Sequence, residues 1–193
     1  MGREGEESVI PQGNASPLTI LPGETGSVIR LLLVSDTHVP SRARDLPAAV
    51  WAEVDAADVV VHAGDWTDVR LLDRLESRAA RLVGVVGNND EGELRRRLPE
   101  IARVELEGIR LAVVHETGSK EGRERRMEAA FPDTDLLVFG HSHIPWDSTT
   151  PGGLRLLNPG SPTDRRRQPV ATIMRLTIDD GAPGVPELVA IAR

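Results

Sequence analysis

Five short apolar runs in this sequence are each followed at once by residues able to bind a divalent cation: Asp36-Thr37-His38, Gly64-Asp65, Gly87-Asn88-Asn89-Asp90, His115 and Gly140-His141-Ser142-His143. Four of the chain's five histidines stand in these positions. Residues two apart on extended backbone point to the same side, so Asp36 with His38, and His141 with His143, are expected to offer paired donors to one small volume. Asp36, His38, Asp65, Asn88, His115, His141 and His143 are then too many for one tetrahedral zinc with its water. They suit two ions of five- or six-coordinate geometry that share a carboxylate. With no cysteine in the chain, sulfur is excluded as a ligand. Imidazole, carboxylate and amide oxygen suit manganese, iron or zinc, among which availability decides; two divalent ions are expected, manganese foremost, with iron, zinc or nickel as alternatives.

Such a centre needs elements that bring distant segments together. The apolar runs span residues 28–34, 59–61, 82–86, 111–114 and 136–139, and their near-continuous hydrophobicity suits strands covered on both faces. Ligands in open α/β sheets gather beyond the carboxyl ends of the strands. The steps from Asp36 to Asp65, Asn88, His115 and His141 are 29, 23, 27 and 26 residues, each long enough for a crossover and the next strand. Leu46, Val50 and Val54 form one helical stripe, Leu71 and Leu75 a second, and Met127 with Phe131 a weaker third. After Pro151 the texture changes to strand-like runs at 153–157, 170–178 and 185–191 between Gly- and Pro-rich turns, from which a second, more antiparallel sheet is expected. Residues 1–27 carry five glycines and three prolines and read as an extension, with one domain over 28–193.

Composition narrows the setting. At 193 residues the chain is sized for a single core, and no apolar run approaches the roughly 20 residues of a membrane span. Glu4, Glu6 and Glu7 stand where a secretory leader would be basic, so a cytoplasmic address is expected. A net charge of −7 opposes general affinity for nucleic acid. The expected partner is a small phosphoester substrate; neither membrane nor nucleic acid is expected, and assembly into a homo-oligomer is left open.

In order and type, these motifs resemble the calcineurin-like metallophosphoesterase superfamily, whose signature runs D-x-H, G-D, G-N-x-[DE], H, G-H-x-H. The match covers Asp36 to His143. With the turn Asn158-Pro159-Gly160-Ser161 it is most similar to the small single-domain bacterial and archaeal phosphodiesterases. The resemblance implies a four-layer α/β/β/α sandwich. It also implies one metal on Asp36, His38 and His143, another on Asn88, His115 and His141, and Asp65 as the bridge. Its activity would be hydrolysis of phosphate esters, phosphodiesters foremost, by a metal-bridging hydroxide. Asp65, Asn88 and His115 would carry the chemistry, and Asn89 and Arg165 would meet the substrate. A phosphomonoesterase on the same site is the alternative, as is a scaffold member of the fold, since the superfamily includes a retromer subunit.

Two positions depart from the family pattern. Many members place a histidine where this chain has Asn89, and the small subfamily commonly has His-Gly-His where this chain has His115-Glu116-Thr117. An amide at Asn89 cannot supply a proton at neutral pH, so a preference for activated esters is expected. Of the remaining polar groups, His62 reads as a core histidine. Asp90, and more weakly Asp68 and Glu116, read as carboxylates that orient a ligand histidine. The arginines of 95–97, 123–126 and 165–167 are anion clamps or solvated faces.

Overall fold

The computed structural model describes residues 15–21 and 28–192. In chain order it contains β1 (Thr19–Leu21), β2 (Ile29–Val34), α1 (Ala48–Ala56), β3 (Val59–His62), α2 (Val69–Arg78), β4 (Leu82–Gly84), α3 (Glu93–Arg97), β5 (Ile101–Leu106), β6 (Ile109–Val114), α4 (Arg123–Ala130), β7 (Leu136–Val138), β8 (Trp146–Thr149), β9 (Arg155–Asn158), β10 (Ala171–Asp179), β11 (Ala182–Pro183) and β12 (Glu187–Ile191). One sheet has the order β1-β5-β6-β7-β9-β8. The other runs β11-β10-β2-β3-β4, with β12 also paired to β10.

The apolar runs are continuous because each strand is covered twice. Leu31 and Leu33 of β2, with Val59 and Val61 of β3, point between the sheets and meet Leu111, Val113 and Val138 of the other sheet. Leu32, Val34 and Val60 point the opposite way, against Val50 and Val54 of α1 and Leu71 and Leu75 of α2. Ala112, Val114 and Leu137 turn outward onto Met127 and Phe131 of the α4 segment. The result is helix, sheet, sheet, helix, the α/β/β/α sandwich that the resemblance implied. No described helix is long and apolar enough to cross a membrane.

Several expectations are corrected. The five strand ends come from two sheets: β2, β3 and β4 lie in one, β6 and β7 in the other. The strands after Pro151 do not form a sheet of their own. β9 pairs in parallel with β7 and β8 turns back on β9, whereas β10 pairs antiparallel with β2 and carries β12. Each apolar run there is half of a face that an earlier strand completes. β5 is not expected from the sequence, because Arg103 and Glu105 interrupt its apolar residues, yet Ala102, Val104 and Leu106 alternate inward. Its turn into β6 is Glu107-Gly108 with φ of 48° and 81°, the two positive values that a tight two-residue hairpin requires. Residues 15–21, placed within the extension, carry β1, which pairs in parallel with β5. The rest of 1–27 lies outside the described residues.

Candidate metal centre

Strands β2, β3 and β4 are mutually parallel, as are β6 and β7, so their carboxyl ends share one rim of the sandwich. At that rim the backbone is not extended. Asp36, His38, Asp65, His141 and His143 all take left-handed φ, between 44° and 68°. Non-glycine residues rarely adopt this conformation, and a run of them marks a backbone held under strain by its surroundings. The paired donors therefore converge by tight turns rather than by the two-residue alternation of a strand.

Two donor groups result. In the first, Nε2 of His143 lies 3.3 Å from Nε2 of His38 and 3.3 Å from Oδ1 of Asp36. In the second, Oδ1 of Asn88 lies 3.0 Å from Nε2 of His115 and 3.0 Å from Nδ1 of His141. Asp65 stands between them, with Oδ2 3.4 Å from Nε2 of His38 and 3.5 Å from Nε2 of His115. Donors each about 2.1 Å from one cation, at octahedral to tetrahedral angles, stand roughly 3.0–3.4 Å apart. The residues fit a divalent cation. The first group is buried; Asn88 and His141 are exposed, and a cleft of about 390 Å³ opens beside Asn88 and His115, lined also by Arg95, Glu100 and Glu116.

The imidazoles are presented in defined tautomers. His115 Nδ1 donates to the Ala63 carbonyl at 2.7 Å, and His143 Nδ1 donates to that of Asp164, which leaves each Nε2 turned to the site. Burial lowers the pKa of His38 and takes that of His143 down to about 4, so both rings are neutral at pH 7. A cation between them would satisfy the His143 Nε2 lone pair together with His38 Nε2 and Asp36. Burial pushes Asp36 up to about 7. For Asp65 burial works in the same direction, but hydrogen bonds from His115 and Asn89, with the charge of His115, outweigh it and hold the carboxyl well below its usual range. Burial also opposes protonation of His115, yet its hydrogen bond to Asp65 and the charges of Asp36 and Asp65 carry it up to about 9.

The turns that make this geometry are pinned from behind. Ser35 Oγ donates to Asp36 Oδ2 at 2.7 Å, and Ser161 Oγ to the Asp36 carbonyl at 2.7 Å. Asn158 Nδ2 donates to the Gly140 carbonyl at 2.8 Å, so the Asn-Pro-Gly-Ser turn locks the loops that carry Asp36 and His141. Gly140 must be glycine: a Cβ there would lie 2.0 Å from Ser35 Oγ and 2.9 Å from Asp36 Oδ2.

Other predicted positions are reassigned. Asn89 donates to Asp65 from both its backbone (2.9 Å) and its side chain (2.7 Å), so it braces the shared carboxylate rather than facing the cleft. Asp90 orients no histidine; it accepts the backbone N–H groups of Asp65, Thr67 and Gly87. Asp68 caps α2 by accepting from Arg70 N at 2.8 Å, a contact worth about 1 kcal/mol. His62 is a buried core residue stacked on Trp66, as expected. Arg165 donates to the carbonyl of Gln168 in its own loop. Burial is what chiefly depresses His38, His141 and His143, and the charge of the neighbouring Arg166 adds a smaller contribution in the same direction. Arg95 donates to the carbonyls of Asp90 and Gly87, Arg97 pairs with Asp73 and Glu76, and Arg126 holds the carbonyls of Thr117 and Ser119.

Two stacked sheets between helices, with carboxylate, imidazole and amide donors gathered at one rim, define a metallophosphoesterase. The chain belongs to the calcineurin-like phosphoesterase superfamily, whose domain model matches residues 29–181. A probable metallophosphoesterase of Methanocaldococcus jannaschii is 36% identical over 156 residues, which cover 80% of this chain and 79% of that protein. A solution structure of a Thermotoga maritima protein superimposes with a TM-score of 0.69 at 30% identity, covering 84% of this chain and 99% of the other. Vps29 of Chaetomium thermophilum shares the fold, with a TM-score of 0.68 at 22% identity over 86% of this chain and 99% of its own.

Proposed function

We propose that this protein hydrolyses phosphodiesters with two divalent cations, manganese foremost, one held by Asp36, His38 and His143, the other by Asn88, His115 and His141, with Asp65 shared. The observation that carries the reading is the position of Asp65 Oδ2, 3.4 Å from the His38 donor nitrogen and 3.5 Å from that of His115. Bound there, the cations would lower the pKa of a coordinated water toward neutrality and neutralise charge on the phosphoryl oxygens.

The chain's own part is positioning and charge. Carbonyl acceptors behind His115 and His143 fix which nitrogen each ring presents. Arg166 contributes positive charge near the His38 and His143 side, where an anionic phosphoryl group would gain from it. The cleft on the opposite side, lined by Arg95, Glu100 and Glu116 beside Asn88 and His115, has room for the second ester arm of a diester. A scaffold role has less support, since every donor of the family signature is retained.

The reading is tested by stripping metal from the protein, restoring manganese, zinc or magnesium singly, and comparing an aryl phosphodiester with the corresponding monoester. Manganese-dependent hydrolysis with the diester faster is expected, and Asp65→Asn should abolish it. Equal activity in Asp65→Asn would overturn the shared-carboxylate reading; faster monoester cleavage would make the protein a phosphomonoesterase.

A further inference from the structure

Glu116 directly follows His115 and belongs to no part of the family signature. Among the described residues its carboxylate accepts no hydrogen bond and pairs with no arginine or lysine; its one close ionisable neighbour is His141, whose Nδ1 lies 3.6 Å from Oε1. The identity of that nitrogen matters. Nδ1 is the atom of His141 that faces Asn88 Oδ1 at 3.0 Å, and so it is the donor directed into the site. A carboxylate that merely orients a ligand imidazole takes the N–H on the ring's other nitrogen, behind the metal. Glu116 instead enters the space in front of the ring. Donor atoms of His115, Glu116 and His141 all fall within 4.8 Å of one another.

Charge points the same way. The first donor group contains Asp36 and shares Asp65, whereas Asn88, His115 and His141 are neutral ligands with only a share of Asp65. A hard divalent cation of the manganese or magnesium type favours carboxylate oxygen. One more carboxylate on the second group would equalise the two positions, and Glu116 is half-exposed, uncommitted and adjacent.

Resting on the two-cation reading, we propose that Glu116 is an additional ligand of the cation held by Asn88, His115 and His141. The test is a calorimetric titration of the metal-stripped protein with Mn²⁺ alone, for wild type and for Glu116→Gln, His141→Ala and Asp36→Asn. Glu116→Gln should weaken, by about tenfold or more, the same binding step that His141→Ala weakens, and leave the step sensitive to Asp36→Asn unchanged. Because Glu116 is at the surface, the melting temperature of the stripped Glu116→Gln protein should match wild type, which separates loss of a ligand from loss of structure. A Glu116→Gln titration that superimposes on wild type would overturn the proposal, as would equal weakening of both steps. Wild type that takes up one ion instead of two would count against the two-cation reading itself. In that case the effect of Glu116→Gln on the single ion still decides the role of Glu116.

Discussion

Asp90 stands behind Asp65 and holds it by the backbone: Oδ2 accepts the Asp65 N–H at 3.0 Å and the Gly87 N–H at 2.7 Å, while Oδ1 accepts that of Thr67 at 2.7 Å. One buried carboxylate thus ties the turn after β3 to the turn after β4, on which Asn88 and Asn89 sit. Asp90→Asn keeps the volume but places an amide N–H against at least one backbone N–H. We expect a loss of about 1–3 kcal/mol in denaturant unfolding, together with a 10–100-fold weaker Mn²⁺ affinity, the usual cost when a group supporting metal ligands is altered. Wild-type metal affinity in this variant would show that the ligand turns hold themselves.

The bracing of Asp65 by Asn89 has a consequence for the leaving group. The Asn89 amide is committed to a carboxylate and has no proton to transfer at neutral pH. A positioned general acid is worth about 10²- to 10⁴-fold. Aryl diesters, whose leaving groups depart without protonation, should therefore be cleaved at least about 100-fold faster than alkyl diesters. Steady-state kinetics on a matched aryl and alkyl pair would measure this. Equal rates would mean that another group supplies the proton.

Gly140 lies where the β7 turn meets the β2 turn, and a methyl group there would sit 2.0 Å from Ser35 Oγ, 2.8 Å from the Ala63 carbonyl and 2.9 Å from Asp36 Oδ2. The Ala63 carbonyl is backbone, so the methyl cannot be absorbed by rotating one side chain. Gly140→Ala should lower stability by about 1–3 kcal/mol, the usual cost of overpacking. Because Asp36 and His141 are displaced together, Mn²⁺ binding should fall as well. Thermal melts of stripped and Mn²⁺-loaded protein would separate the two effects.

The donor set was legible in the sequence because each ligand follows an apolar run, and a strand buried on both faces announces its own end. The partition into two sheets was less legible. β2 and β6 carry the same doubly buried pattern, and nothing in that pattern says which neighbour each will pair with. β5 was hidden by Arg103 and Glu105, which lie half-buried on the face of the strand turned away from the other sheet. The roles of Asp90 and Asp68 depend on accepting backbone N–H groups, and that of Asn89 on donating to the Asp65 carboxylate; any Asp or Asn in a turn can make such bonds.

His62 supplies a pH dependence with a defined sign. It is fully buried against Trp66, with ring centroids 3.5 Å apart, and its Nε2 lies 3.0 Å from Thr37 Oγ1 while Nδ1 has no partner among the described residues. Burial, with the nearby charge of His115, takes its pKa down to about 3. An unfolded histidine titrates near 6.5. Above about 6.5 both states hold this ring neutral, and it contributes no slope. Between about 6.5 and 3 the unfolded chain takes up a proton that the folded chain refuses, so stability falls with pH by about 1.4 kcal/mol per unit. Below about 3 both states are protonated and the slope from this residue ends. Other groups titrate over the same range, so the measurement is a difference: denaturant unfolding of wild type and His62→Gln, followed by tryptophan fluorescence, at pH 7 and pH 5. His62→Gln should lose less stability than wild type on that descent, by about 2 kcal/mol, whatever its stability at pH 7. Parallel losses would mean that His62 is protonated within the fold.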